Sequence, residues 1–218
     1  MNNLVIGNPG GIGFDCNPSS GSLPPVIQFT DAWASGGIGF DGSCASEANT
    51  DGNISADPMF GFGGIPHTSL PELDLADGSP AINTGTNSVP DLPAKDLAGR
   101  PRIVDGNGTG AIVDMGAYEF VPLFPFPSSL AFGVQPVGSS STKLVKLVNN
   151  LDTNLVISFL VPKGFSISGC DNGVQAHFVC GISVTFHPET SGNFNGTISL
   201  IDGASNSPQT IALSGKAR

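Results

Sequence analysis

Charge is scarce in this sequence: 12 % of its 218 residues are Asp, Glu, Lys or Arg, and only 8 of them are basic. The net charge of -10 excludes a phosphate backbone or an anionic bilayer as a partner held by charge, because like charges repel. Long apolar runs are missing too. No stretch approaches the ~18 residues that span a membrane as a helix. Nor does any window of about 12 residues carry the i, i+3, i+4, i+7 stripe of an amphipathic helix. The 30 glycines and 18 prolines penalise helix interiors, so the expectation is an all-β chain rich in tight turns. Aromatic platforms are few, with one Trp (Trp33) and one Tyr (Tyr118).

The four cysteines fall into two local pairs, Cys16/Cys44 and Cys170/Cys180, and neither has the C-x-x-C spacing of a zinc site. Two disulfides in an exported, secreted or surface-held protein is the expectation, with buried free thiols as the alternative. The opening MNNLVIGN has neither the basic nor the apolar region of a signal peptide, so the sequence reads as a processed chain or a part of a longer one.

What charge there is lies on one side. Residues 1–120 carry 14 acidic and 3 basic side chains, and residues 121–218 carry 4 and 5. Such a break marks a domain boundary. Before it, short β-branched runs recur slowly: from Ile27 to Ile54, Ile82 and Ile112 the steps are 27, 28 and 30 residues. GGIGFD occurs at 10–15 and again at 36–41, each copy closely followed by a cysteine. One strand per unit of that length predicts a solenoid, in which coils stack about 4.8 Å apart and pair with one another. Residues 121–128, VPLFPFPS, read as a proline-stiffened linker. Residues 129–218 alternate apolar and polar side chains, as in Ile182, Val184 and Phe186 against Ser183 and Thr185. Period-two runs between Gly, Asn and Pro turns predict an immunoglobulin-like antiparallel sandwich.

The segments NNLVIGN, GGIGFDC, PPVIQFTDAW, GNISADPMF, DGSPAINTGTN, LPAKDLAGRPRI and DMGAYEF resemble the last coils of secreted bacterial right-handed parallel β-helix proteins. These belong to the pectate-lyase-like group with "choice-of-anchor" tails. The resemblance covers residues 1–120 and implies a β-helix truncated to its last turns, with a free coil edge through which a homodimer is expected. LAFGVQPVGSSSTKLVKLVNN, FSISGC and CGISVTFHPETSGNFNGTISLIDGASNSPQTIALSG resemble the abnormal-spindle/hydin-like immunoglobulin module. That resemblance implies a spacer or interaction domain.

Chemistry-bearing residues concentrate in residues 97–120, LAGRPRIVDGNGTGAIVDMGAYEF. Asp105, Asn107 and Thr109 place oxygen donors at alternate positions and Gly110 sits sixth, as in the opening of a calcium loop; the twelfth position is Gly116. Asp114 is the nearest carboxylate able to complete the set, so a Ca²⁺ site of Asp105, Asn107, Thr109 and Asp114 is one expectation, with Asp91, Asp96 and Glu119 in reserve. A plain Asx-turn between strands is the other. Asp15 and Asp41 occupy equivalent places in the two GGIGFD copies, so stacked coils put them side by side, as a metal or acid/base pair or as solvated corners. Asp31, Asp51 and Asp57 extend that acidic set. His67 is the histidine in the acidic half and a candidate base or ligand, while His177 and His187 stand alone in the second half. Ser19, Ser20 and residues 139–141 lack the strand–elbow–helix setting of an activated serine.

Two functional classes follow. One is a non-catalytic exported module for attachment or binding of polysaccharide. The other is a small calcium-dependent hydrolase of esters or lactones, in which the metal polarises a carbonyl. Polysaccharide lyase chemistry ranks third, because the acidic half offers only Lys95, Arg100 and Arg102 as proton acceptors or partners.

Overall fold

The computed structural model describes residues 1–17, 25–61 and 73–218. It forms two compact units, Met1–Val121 and Pro122–Arg218. The charge break near residue 120 coincides with that division.

The first unit opens with four short strands: β1 (Asn3–Ile6), β2 (Ile12–Cys16), β3 (Thr30–Trp33) and β4 (Ile38–Gly42). β1 pairs in parallel with β3, Asn3 against Thr30, and β2 with β4, Ile12 against Ile38. The two GGIGFD copies therefore stack on each other, Phe14 against Phe40 and Asp15 against Asp41. Glycine is required there by space: a Cβ on Gly39 would collide with the Ala32 carbonyl and the Ser55 side chain, and one on Gly37 with the Gly11 carbonyl. The core beneath is small, made of Cys16, Ile27, Ala32, Phe40 and Cys44 with Val5 and Phe14 against it. The Cys16–Cys44 disulfide staples it.

Beyond β4 the regular pairing stops. Ile54 joins the stack through one parallel bridge to Asp31, while Ile82 lies in a turn and Ile112 in irregular chain. A continuous solenoid with one strand per 27 to 30 residues is thus not formed by the described residues. The reason is chemical: between residues 73 and 120 Gly, Pro, Asn and Asp are so dense that side chains and turns take many backbone donors, leaving scattered bonds between segments, such as Gly85 N–H to the Val113 carbonyl and Met115 N–H to the Ala81 carbonyl, in place of a ladder.

The second unit is the expected sandwich. One sheet runs β5 (Leu123–Phe126), β7 (Ser141–Asn149), β10 (Val179–Phe186), β9 (Phe165–Ser168). The other runs β6 (Ser129–Gln135), β12 (Gln209–Ala217), β11 (Gly192–Ile201), β8 (Ser158–Leu160). The alternating residues meet as predicted: Val145, Leu147, Ile182, Val184, Phe186, Ile198, Leu200, Ile211 and Leu213 are all buried in one core. Phe132, Phe165 and Phe194 surround Phe186 with ring centroids 4.9–5.7 Å apart. Gly215 makes room, since a Cβ there would strike the Phe186 ring. The Cys170–Cys180 disulfide closes the turn between β9 and β10.

The segment 121–128 differs from its reading as a linker. Leu123 and Phe124 are buried, and β5 pairs antiparallel with β7 from Leu123–Asn149 to Phe126–Lys146. Pro125 is tolerated because β5 is an edge strand and needs no second set of donors.

Candidate functional site

The end of the first unit is built on two buried arginines. A turn closed by Gly99 N–H on the Asp96 carbonyl at 3.0 Å, with Asp96 N–H donating to the Arg100 carbonyl at 2.9 Å and Arg100 N–H to Asp96 Oδ1 at 2.8 Å, brings Arg100 back over Asp96. Arg100 Nε donates to Asp96 Oδ2 at 2.8 Å, and its Nη2 donates to Asp74 Oδ1. Its guanidinium lies 5.7 Å from the centre of the Tyr118 ring. Two residues on, Arg102 Nη1 donates to Glu119 Oε2 at 3.2 Å, and its Nη2 donates to the Asp114 and Gly116 carbonyls. Glu119 also accepts the Asp114 and Val104 N–H groups. Asp114 accepts Asn83 N–H at 2.8 Å and Phe120 N–H at 2.6 Å, one on each oxygen.

Three carboxylates (Asp74, Asp96 and Glu119) thus share two guanidiniums, Asp114 stands beside them on backbone N–H groups, and all six side chains are buried. Burial, followed by the neighbouring Asp114 charge, pushes Glu119 up to about 8 against the opposing pull of its N–H donors and Arg102. Burial likewise raises Asp114 to about 6. The excess negative charge is held by oriented backbone N–H groups and by this upward drift toward the neutral acid.

The Asp105 loop closes on Asn83. Asn83 is one of the non-glycine residues with positive φ, at 56°. Its Nδ2 lies 2.7 Å from Asn107 Oδ1, 2.8 Å from the Gly110 carbonyl, 3.2 Å from Asp105 Oδ1 and 3.3 Å from Thr109 Oγ1. Its Oδ1 accepts Gly106 N–H at 3.2 Å, which fixes the amide's orientation. The expected donors Asp105, Asn107 and Thr109 do come together, but around an amide nitrogen. Asp114 faces the backbone of Asn83 and Phe120 instead. Calcium takes about 6–8 oxygens, and only one carboxylate is among these four. To admit the ion, Asn83 would have to turn its amide and give up Gly106. As arranged, the donor set fits an N–H donor better than Ca²⁺. Asn83 itself was the residue that sequence reasoning passed over; an Asn at a turn after an apolar pair was its only signal.

Asp15 and Asp41 are side by side in the β2–β4 register, as stacking implied. Asn17 Nδ2 donates to both Asp15 oxygens, 2.7 and 2.9 Å away. Asp31 is fully buried in β3, with Oδ1 accepting Ala56 N–H and burial raising it to about 6. His67, Ser19 and Ser20 lie outside the described residues. His177 is paired with Asp152 at 2.6 Å and His187 with Ser140 at 2.9 Å, both at the exposed surface of the second unit. Tyr118 is buried and Trp33 half-buried, so neither presents a free aromatic face for a sugar ring. Among the described residues, no three His, Cys, Asp or Glu side chains are grouped to hold a metal. A shallow cavity of about 500 Å³ is walled by Val89, Leu92, Pro93, Pro101 and Ile103, with Asp91 at its side.

Residues 121–210 match the model of the ASH family. Its full description is abnormal spindle-like microcephaly-associated, ASPM-SPD-2-Hydin, and the match supports the immunoglobulin-like module and not the first unit. Among solved structures, the chain is similar to the ASH/PapD-like domain 7 of human CEP192 at 17 % identity, over 44 % of this chain and 85 % of that one, with a TM-score of 0.39. It is also similar to a protein of unknown function from Porphyromonas gingivalis W83 at 12 % identity, over 43 % and 46 %, with a TM-score of 0.37. A third is WR4, an MSP family member of C. elegans, at 9 % identity, over 44 % and 98 %, with a TM-score of 0.32. No curated protein matches the chain.

Proposed function

We propose that this chain is an exported attachment module: an immunoglobulin-like domain that makes the interaction, carried on the closing part of a right-handed parallel β-helix. The observation that carries the reading is the self-contained sandwich of Pro122–Arg218, whose sequence over 121–210 matches an interaction-module family. Two disulfides support placement outside a reducing compartment. The β-helix part is supported by parallel strand pairs offset by a near-constant step, Asn3 on Thr30 and Ile12 on Ile38, with Ile54 as a third rung. The buried carboxylate–arginine network then serves to hold the end segment against the first strand. There Gly116 N–H donates to the Asn2 carbonyl, and the Asn2 side chain bonds Thr86 in both directions.

A protein is favoured over a polysaccharide as the partner, because the unit proposed to recognise it is the immunoglobulin-like sandwich whose sequence over 121–210 matches the ASH family model. The test is equilibrium binding of the labelled chain to the envelope of the cells that make it, with the envelope untreated, protease-treated or periodate-treated. Loss of binding after protease alone is the expected result. Loss after periodate alone would move the reading to glycan attachment, and no saturable binding to the untreated envelope would overturn it. The edge of β1 and β2 is the surface through which a homodimer is proposed, and sedimentation at rising concentration reads that directly.

A further inference from the structure

The sequence carries three Asn-x-Ser/Thr triplets without proline in the middle: Asn53-Ile54-Ser55, Asn107-Gly108-Thr109 and Asn195-Gly196-Thr197. In an exported protein such a triplet is an acceptor for N-linked sugar only if the asparagine amide can be reached and correctly posed. The fold sorts the three.

Asn53 is buried, with Oδ1 accepting Thr30 N–H at 3.1 Å and Nδ2 donating to the Ile27 carbonyl at 2.9 Å. No sugar donor reaches it in the folded chain. Asn195 is exposed but lies in the middle of β11, its backbone set opposite Ser214 of β12. An extended strand holds Thr197 away from the asparagine carboxamide, and the ladder resists bending into a turn.

Asn107 differs on both counts. It is exposed in a loop, and Gly108 after it has φ +83°. The loop folds the triplet into an Asx-turn: Thr109 N–H donates to Asn107 Oδ1 at 3.2 Å, and Thr109 Oγ1 lies 2.6 Å from the same oxygen. Asn83 Nδ2 adds a third donor at 2.7 Å. Donors gathered on Oδ1 stabilise the imidate that forms when Nδ2 gives up a proton, and that form is nucleophilic where a resting amide is not. The nitrogen itself is held only by a 3.4 Å contact to the Ile82 carbonyl.

We infer that Asn107 is an N-glycan acceptor of the folded protein, posed by Thr109 and Asn83. The co-reactant is an oligosaccharide on a polyprenyl diphosphate, brought by an oligosaccharyl transferase. Asn107 Nδ2 attacks the anomeric carbon and forms a C–N bond. The bond from that carbon to the diphosphate oxygen breaks, the electron pair leaves with the diphosphate, and the Nδ2 proton passes to a base of the transferase. The inference stands apart from the attachment reading, since it needs only export.

The test incubates the folded, oxidised full chain with a purified oligosaccharyl transferase and a polyprenyl-diphosphate-linked oligosaccharide, followed by intact mass and peptide mapping. A peptide of residues 103–111 serves as the unfolded acceptor. The expected result is one added oligosaccharide, on Asn107, at an occupancy at least comparable to the peptide's. Asn107→Gln removes it, Thr109→Ala lowers it at least ten-fold, Thr109→Ser retains it, and Asn195→Gln leaves it in place. An unmodified folded chain, or addition at Asn195 with Asn107 bare, would overturn the assignment. Because Thr109→Ser keeps the hydroxyl and the fold, its loss of occupancy would also count against the proposed pose.

Discussion

Asn83 holds the Asp105 loop through one amide nitrogen, and its own N–H anchors Asp114. Asn83→Ala removes the nitrogen, leaves the loop's acceptors to water and places alanine at positive φ. A loss of about 2 kcal/mol in the stability of the first unit is expected. Trp33 is the only tryptophan and lies in that unit, so a fluorescence melt reads it selectively. An unchanged melt would show that the loop is held by other contacts. Glu119 gives a prediction of sign. Its folded value, about 8, lies above its ordinary 4.5, so the proton it binds contributes stability that is complete below pH 4.5 and lost as pH rises through 8. Asp114 behaves alike between 3.8 and about 6. The Trp33 melting temperature should therefore fall steadily from pH 5 to pH 8.5, and Glu119→Gln should flatten the part above pH 6. A profile flat over that range would mean that the backbone N–H donors and Arg102 keep both acids charged. These residues also mark what the sequence conceals. The acidic and glycine-rich character of the 105–114 region was legible, but a single string cannot show that its oxygens face an amide donated from residue 83.

At the scale of the element, the strands of the second unit were legible because each buries one face, and period-two alternation is the direct trace of that burial. Val145, Leu147, Ile182, Val184 and Phe186 all went where the pattern put them. β5 was not legible. Its prolines mimic a linker, and only its place at a sheet edge lets Pro125 sit in a strand. In the first unit, the repeat of GGIGFD gave the β2–β4 stack in the right register, while Ile82 lies in a turn and Ile112 in irregular chain outside any strand. The disulfides were readable from local pairing alone. Each staples a turn-rich stretch, so reduction should destabilise both units by about 3 kcal/mol in the chain-entropy picture. For the first unit the Trp33 melt measures this with and without reductant. A melt indifferent to reductant would show that the small core around Phe40 suffices without Cys16–Cys44.

At the scale of the molecule, the chain places nearly all of its acidity in one unit and a nearly neutral sandwich in the other. Each unit has its own core, one around Phe40 and one around Phe186. In the proposed function the second unit recognises and the first carries. The most direct measurement is the affinity of residues 122–218, made alone and oxidised, for the untreated cell envelope, set beside that of the full chain. The expected result is a folded fragment, shown by dispersed amide and methyl resonances, that binds with a Kd within about three-fold of the full chain's, a difference under ~0.7 kcal/mol. A folded fragment that does not bind, with binding retained by residues 1–121, would contradict it.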